Sequence, residues 1–524
     1  MLSLSRRESG ALVAPSGLLV RPVKKANTIR AIVGVVLCVT GVLLALASPY
    51  HEKIYLIQAG GCELETSIIE PVSGEAQGSA VLLHGIAANK KIMSYLARGY
   101  AEQGLRVYVP DLPGHGRTQG PFSPARAEEC TESLLRELFS RGAIDAYRTI
   151  LAGHSMGGAI ALRVAARIPL AGVIAISPAP MRAKHGAFSE LLLFSDPPPT
   201  PPHTLVLSGG MEPDSMKGNA RELVPTESDA NSKFTVLPGA THVSLLFDPR
   251  VVRASQEWTA QTLHLSGAPN LPSRIALLGS LLGFCGLMLI ATPFLREATG
   301  KQPAEEDSAT PQPPAWPRAL LELFCISLGA VGVLHYWNPL PVIHLFEGDY
   351  FAGLLLLMGA ALLALHWKSL RQAMNNKPAA IAGAAFAALV LLLLVTAWFD
   401  LTFSEAWLAR SKWPLVLLLS VLLLPSHLAE ELLLGPTSKR SGWRRLGLGI
   451  VLRLAGWCAL VAALFFLHSG ELLMVLLVPY FALFTVLQRR GMDVVREGTG
   501  SAAAAAFFGA ILLAGFCLVI FPVT

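Results

Sequence analysis

Thr149-Ile150-Leu151-Ala152-Gly153-His154-Ser155-Met156-Gly157-Gly158 is the stretch on which the reading of this chain turns. Thr149 to Ala152 has the make-up of a buried strand, and Gly157 to Ile168 that of a helix. Between them stands a serine with glycines two residues to either side. A nucleophile set on a strand-to-helix turn sits on a strained backbone, so its neighbours must be small. The helix beginning at Met156 would aim its N-terminal N–H groups at negative charge developing beside Ser155.

Working outward, short β-rich runs alternate with helix-like segments across residues 50–270, the pattern of a mostly parallel α/β sheet. Ala80 to Leu83 reads as a strand ending at His84-Gly85, Asn89 to Gln103 as a helix, and Arg106 to Val109 as a strand leading into Asp111-Leu112-Pro113-Gly114-His115-Gly116. Ser123 to Arg141 reads as a helix, and Thr204 to Ser208 and Phe234 to Leu237 as later strands. A serine hydroxyl is a weak nucleophile until a base takes its proton. His242, just after Phe234 to Leu237, is the candidate base. The imidazole needs an acid to orient it. Asp214, after Thr204 to Ser208, is the first choice, with Glu212 as the alternative two residues earlier. The order Ser155, Asp214, His242 is the one expected of such a fold. His84 and His115 read as structural, and His154 is expected to point away from the nucleophile.

His84-Gly85, Asp111 to Gly116, the Gly-His-Ser-Met-Gly-Gly elbow and the late Gly239-Ala240-Thr241-His242 together resemble the α/β-hydrolase family, in particular its serine-aminopeptidase and monoacylglycerol-lipase-like branch. The resemblance covers about 200 residues. It implies an oxyanion hole built from the backbone N–H groups of Ile86 and Met156. Two departures stand out. Gly209-Gly210-Met211-Glu212-Pro213-Asp214 is longer than the family's usual acid loop. The stretch between Ser177 and Thr204 is short and rich in proline, so the pocket is expected to be open or to borrow a wall from the membrane.

The rest of the chain is of another kind. Hydrophobic residues make up 52% of its 524 residues and charged residues only 15%, against about 25% in soluble proteins. A basic leader (1–28) precedes an apolar block at 29–48, read as a retained signal anchor rather than a cleaved signal peptide. Beyond residue 274, blocks near the length that crosses a bilayer fall at about 274–295, 318–337, 350–367, 379–399, 413–434, 447–467, 470–487 and 501–521. Alternate loops hold most of the basic residues: Arg296 and Arg318, then Lys368 and Arg371, then Lys439 to Arg445, then Arg489 and Arg490, with the loop holding Arg410 and Lys412 as the exception. By the positive-inside rule this gives nine spans with the N-terminus in the cytoplasm. The chain would thus be a multi-pass protein of a bacterial cytoplasmic membrane, with the α/β domain on the extracytoplasmic side. His427, Glu430 and Glu431, near the end of the sixth span, are expected at the membrane interface.

The net charge of +6 is modest and the Lys and Arg residues fall between apolar blocks, which points to orientation rather than nucleic-acid binding. The seven cysteines show no metal-ligand spacing, and no metal or cofactor is called for. Cys62 and Cys130 are expected to be unpaired, although an oxidising compartment would permit a disulfide. The expected activity is hydrolysis of an ester through a serine acyl-enzyme, with a lipid or other acylated substrate and the bilayer as partner. A peptide or amide is a less favoured substrate. The alternatives are an acyltransferase using the same residues, or a transporter or scaffold carrying an accessory hydrolase-like domain.

Overall fold

The computed structural model describes residues 21–47, 49–178, 200–224, 231–266, 270–300, 313–373, 378–437, 442–467 and 477–524. Eight strands form one sheet: β1 (Glu52–Ala59), β2 (Cys62–Ile69), β3 (Ser79–Leu83), β4 (Arg106–Pro110), β5 (Thr149–His154), β6 (Gly172–Ile176), β7 (Thr204–Gly209) and β8 (Lys233–Leu237). Their order is β1-β2-β4-β3-β5-β6-β7-β8. The β1–β2 hairpin and its edge on β4 are antiparallel, and every later pairing is parallel. The central strands β3 and β5 have no exposed residue, because helices cover both faces of a parallel sheet.

Those helices are α2 (Ser94–Glu102), α3 (Pro124–Ser140), α4 (Met156–Ala165), α5 (Asp214–Glu222) and α6 (Pro249–Leu263), following α1 (Arg21–Leu46). Ser123 caps α3 by accepting from Arg126 N, with proline at the first helical position, both standard start signals. The helix expected from Asn89 begins instead at Ser94, since Asn89 and Lys90 are engaged elsewhere, as described below. The free-thiol expectation fails. Cys62 at the start of β2 and Cys130 on α3 form a disulfide, their Cα atoms 5.7 Å apart.

Beyond the sheet come α7 (Ile275–Ala298), α8 (Trp316–Tyr336), α9 (Gly348–Leu365), α10 (Trp367–Ala373), α11 (Pro378–Thr402), α12 (Trp413–Leu434), α13 (Gly442–Phe466), α14 (Val478–Thr499) and α15 (Ala502–Ile520). With α1, the described residues contain eight helices long and apolar enough to cross a membrane, as in a multi-pass membrane protein. The ninth candidate, 470–487, lies partly outside the described residues, and α14, which carries its remainder, is not among the eight.

Helices α1 and α7 pack antiparallel. A Cβ on Gly34 would lie 2.7 Å from Gly286 O, and one on Gly41 2.6 Å from Gly283 N. Small residues let the two backbones approach this closely. The α11–α12 loop and the C-terminus touch the sheet domain. The helix ends bearing Arg296, Arg371, Arg445 and Arg496 therefore lie at the far end of the bundle.

The group at His427, Glu430 and Glu431 lies near the end of α12, with His427 and Glu431 buried inside the bundle. Glu431 is 1% exposed and pairs with Arg445 (2.6 Å) and Arg489 (2.5 Å), which also hold Asp493 at 2.7 Å each. Glu430 pairs with Arg453 at 2.8 Å, and His427 Nε2 lies 3.0 Å from Gln488. Buried charges of both signs are thereby matched within the bundle.

Candidate active site

Ser155 stands at the C-terminal end of β5 with φ 56° and ψ −120°, a left-handed conformation rarely adopted by non-glycine residues. A Cβ on Gly153 would come within 2.1 Å of Gly157 O, and one on Gly157 within 2.3 Å of Leu83 O. No larger residue fits either position, which is the physical content of the Gly-x-Ser-x-Gly spacing. Met156 opens α4, so its N–H is one of the orphan donors of a helix start.

His242 Nε2 is 3.0 Å from Ser155 Oγ, and His242 Nδ1 is 2.8 Å from Glu212 Oε1. The three side chains form one line from hydroxyl to carboxylate. Asp214 is not part of it. Its side chain is fully exposed, and it pairs with Lys217 at 2.8 Å on the outer side of α5. The Gly209-Gly210 turn explains the exchange. Glu212 folds back so that its Oε2 accepts from Gly209 N at 2.8 Å, whereas Asp214, just after the N-cap Pro213, opens α5 and faces outward. Burial pushes the Glu212 carboxyl up, but hydrogen bonds from His242, Ser177 and Gly209 N more than offset it and hold it below the ordinary value.

Ser177 was read from sequence only as a strand end. It carries a left-handed φ of 45°, its Oγ donates to Glu212, and the same oxygen lies 2.8 Å from His242 Nδ1. It sits after β6, on the sheet edge where such sites cluster, and that position was the only signal available.

His154 does not point away from the site at Ser155. Its Nε2 donates to the His242 carbonyl oxygen at 2.9 Å, and the two rings lie 4.8 Å apart. Burial and the neighbouring His242 lower its pKa to about 3, so it stays neutral and serves as a prop. His84 and His115 are structural. His84 Nδ1 donates to Gly85 O (2.7 Å) and its Nε2 accepts from Leu112 N (2.9 Å), with burial lowering its pKa to about 4. His115 Nδ1 donates to Pro113 O at 3.0 Å.

The loop that carries Ile86 is held from the membrane side. Asn89 Nδ2 donates to Ser404 Oγ at 2.9 Å, and Lys91 Nζ donates to Asp400 O. Lys90, with a fully buried side chain, reaches Glu65 at 2.9 Å and Asp111 and Glu405 at 2.5 Å each. Asp111 also accepts from Lys90 N at 2.7 Å and Arg117 N at 3.1 Å. The three carboxylates lie close enough together to suggest a cation site, but the lysine ammonium occupies their centre. Burial pushes Glu405 up to about 7, and hydrogen bonding and repulsion from Asp111 act the same way, against the pull of Lys90.

A pH dependence follows. A carboxyl whose folded pKa lies above its unfolded value contributes stability fully present below the unfolded pKa, here the ordinary 4.5, and lost as pH rises through about 7. Glu405→Gln imitates the protonated form. Its melting temperature is expected to gain on the wild type between roughly pH 5 and pH 8. Parallel wild-type and variant curves over that range would refute the assignment.

Above Ser155 and His242 opens a cavity of about 370 Å³ whose lining runs from Ile86, His154 and His242 to residues of α7, α11, α14 and α15. The pocket, expected to be open or to borrow a wall from the membrane, is walled on that side by helices of the chain itself. The proline-rich stretch between Ser177 and Thr204 falls mostly at 179–199, outside the described residues.

A parallel sheet of this order, with a serine on the turn after β5, an acid after β7 and a histidine after β8, defines the α/β hydrolases as a class. The model of the Alpha/beta hydrolase family matches residues 80–456, and the chain belongs to that family. It is 27% identical over 190 residues to a pimeloyl-[acyl-carrier protein] methyl ester esterase of Sodalis glossinidius, covering 36% of this chain and 63% of that one. It is 30% identical over 135 residues to Lipase 1 of Psychrobacter immobilis, covering 24% and 42%. Among solved structures it is similar to a soluble variant of the monoglyceride lipase of Saccharomyces cerevisiae, with 15% identity, a TM-score of 0.34 and coverage of 43% of this chain and 98% of that one. The chain spans less than two thirds of the length of the curated relatives it matches.

Proposed function

We propose that the protein is a membrane-anchored serine hydrolase that cleaves the acyl ester of a lipid. The observation that carries this reading is the line Ser155, His242, Glu212, with gaps of 3.0 Å and 2.8 Å, opening onto an apolar cavity. His242 Nε2 takes the Ser155 proton as Oγ attacks the ester carbonyl carbon. The Ile86 and Met156 N–H groups hold the oxyanion. The C–O bond breaks, the departing alkoxide receives the proton from His242, and the acyl group stays on Ser155. Water, deprotonated by His242, then releases the acid. Glu212 fixes the imidazole and stabilises its charged form.

Relatives named as an esterase and a lipase support an ester over an amide. The far-end placement of the basic helix ends and the Cys62–Cys130 disulfide support a hydrolase domain outside the cytoplasm, held there by α1 and α7.

The test is activity-based labelling of intact cells with a membrane-impermeant fluorophosphonate. The wild type is expected to be labelled on Ser155 and the Ser155→Ala variant to remain unlabelled. Undiminished labelling of Ser155→Ala would sink the nucleophile assignment. Labelling only after the cells are opened would overturn the outward orientation.

A further inference from the structure

We infer that the cavity opening from Ser155 and His242 into the helical bundle is an acyl-chain slot, built by the bundle helices, that takes one fatty chain of a bilayer lipid tail-first. This inference rests on the hydrolase reading above and says where the acyl chain of its substrate lies. The slot is one continuous space. Ser155 and His242 line it at one end, and Gln488 and Gly491 at the other. On α7 its lining extends from Phe284 to Leu295, which at a rise of 1.5 Å per residue is about 16 Å. That is about half the ~30 Å hydrocarbon thickness of a bilayer, the depth of one leaflet and so of one lipid chain.

The chemistry of the wall agrees. Between its ends the slot is lined chiefly by side chains such as Met288, Ala291, Leu391, Leu483 and Phe516. Thr396, a polar residue midway, turns its hydroxyl onto Leu392 O in its own helix at 2.8 Å. At the foot, Gln488 is already engaged: its Nε2 donates to Gly509 O at 2.5 Å, and its Oε1 accepts from Arg453 at 2.5 Å. The amide at the deep end is therefore already paired, Arg490 also lines that end, and Ser155 and His242, the groups that act on a carbonyl, stand at the shallow end. A ligand matching both ends has its ester at Ser155, a hydrocarbon tail running down between α7, α11, α14 and α15, and its alcohol part left on the sheet side. None of these four helices belongs to the sheet domain, so the slot measures chain length with parts outside the hydrolase fold itself.

Two experiments on the full-length protein test this. In the first, the wild type is labelled with a long-chain alkyl fluorophosphonate carrying a diazirine at the chain terminus, then irradiated. Crosslinks are expected on α7, α11, α14 or α15. Crosslinks confined to residues of the sheet domain would overturn the slot. In the second, Ala291→Phe places a ring about 10 Å below Phe284. The ratio of kcat/KM for a palmitoyl over a butyryl nitrophenyl ester is expected to fall about tenfold or more, because the buried methylenes of the longer chain lose their site. A wild-type ratio in a variant that still labels at Ser155 would refute the slot while leaving the hydrolase reading intact. Should Ala291→Phe fail to fold, the crosslinking decides alone. A wild type that no fluorophosphonate labels would instead remove the hydrolase reading and the slot with it.

Discussion

Glu212→Gln is expected to lower kcat for ester hydrolysis by about 10⁴-fold, the loss that follows when the acid beside a catalytic imidazole becomes an amide. The reason is geometric as much as electrostatic. The Glu212 carboxylate accepts from His242 Nδ1, Ser177 Oγ and Gly209 N. An amide has one acceptor oxygen for these donors, and its NH2 turned toward Nδ1 would force the imidazole into the tautomer that cannot take the Ser155 proton. Because Glu212 is buried, no water restores the lost charge. Asp214→Asn is the control. That side chain is fully exposed, and its replacement is expected to leave kcat within about twofold, as for surface changes generally. Reversed outcomes in the two variants would return the acid to Asp214.

Lys90→Met should be the most destabilising single change outside the catalytic line. It leaves Glu65, Asp111 and Glu405 facing one another with their shared cation gone. Breaking a buried ion pair by removing one partner costs about 3–5 kcal/mol, a fall in melting temperature of roughly ten degrees, to be read on the detergent-solubilised protein. Activity should drop as well, since Lys90 belongs to the loop that carries the Ile86 amide and anchors it to the α11–α12 loop through Glu405 and Asn89. A melting temperature unchanged by the substitution would show that the cluster does not hold the two halves together.

The elbow was legible because its constraint is local: two glycines, a serine and the strand before it lie within a few residues. His242 was legible for a related reason, its place after the last strand. The choice between Glu212 and Asp214 was not. It depends on how the Gly209-Gly210 turn curls and on which of two acids two residues apart begins α5, and both carboxylates suit the chemistry equally on paper. Ser177 was passed over and His154 misplaced because their partners are side chains and backbone on other strands and loops. Lys90 and Glu405 lie 315 residues apart, one in each half, and no pattern within either half points to the other. The Cys62–Cys130 pairing depends in the same way on α3 lying across β1 and β2.

The α1–α7 glycine contact has a consequence for how the domain is held. The chain enters the sheet domain from α1 and leaves it into α7, and those two helices lie backbone to backbone. The catalytic module is thus a closed loop with both ends buttoned at one seam. A single proteolytic cut just after α1 would not shed it, because α7 still carries it covalently and the freed α1 stays lodged against its partner. Releasing the module would take a second cut before α7 and the undoing of its lysine-centred grip on the bundle.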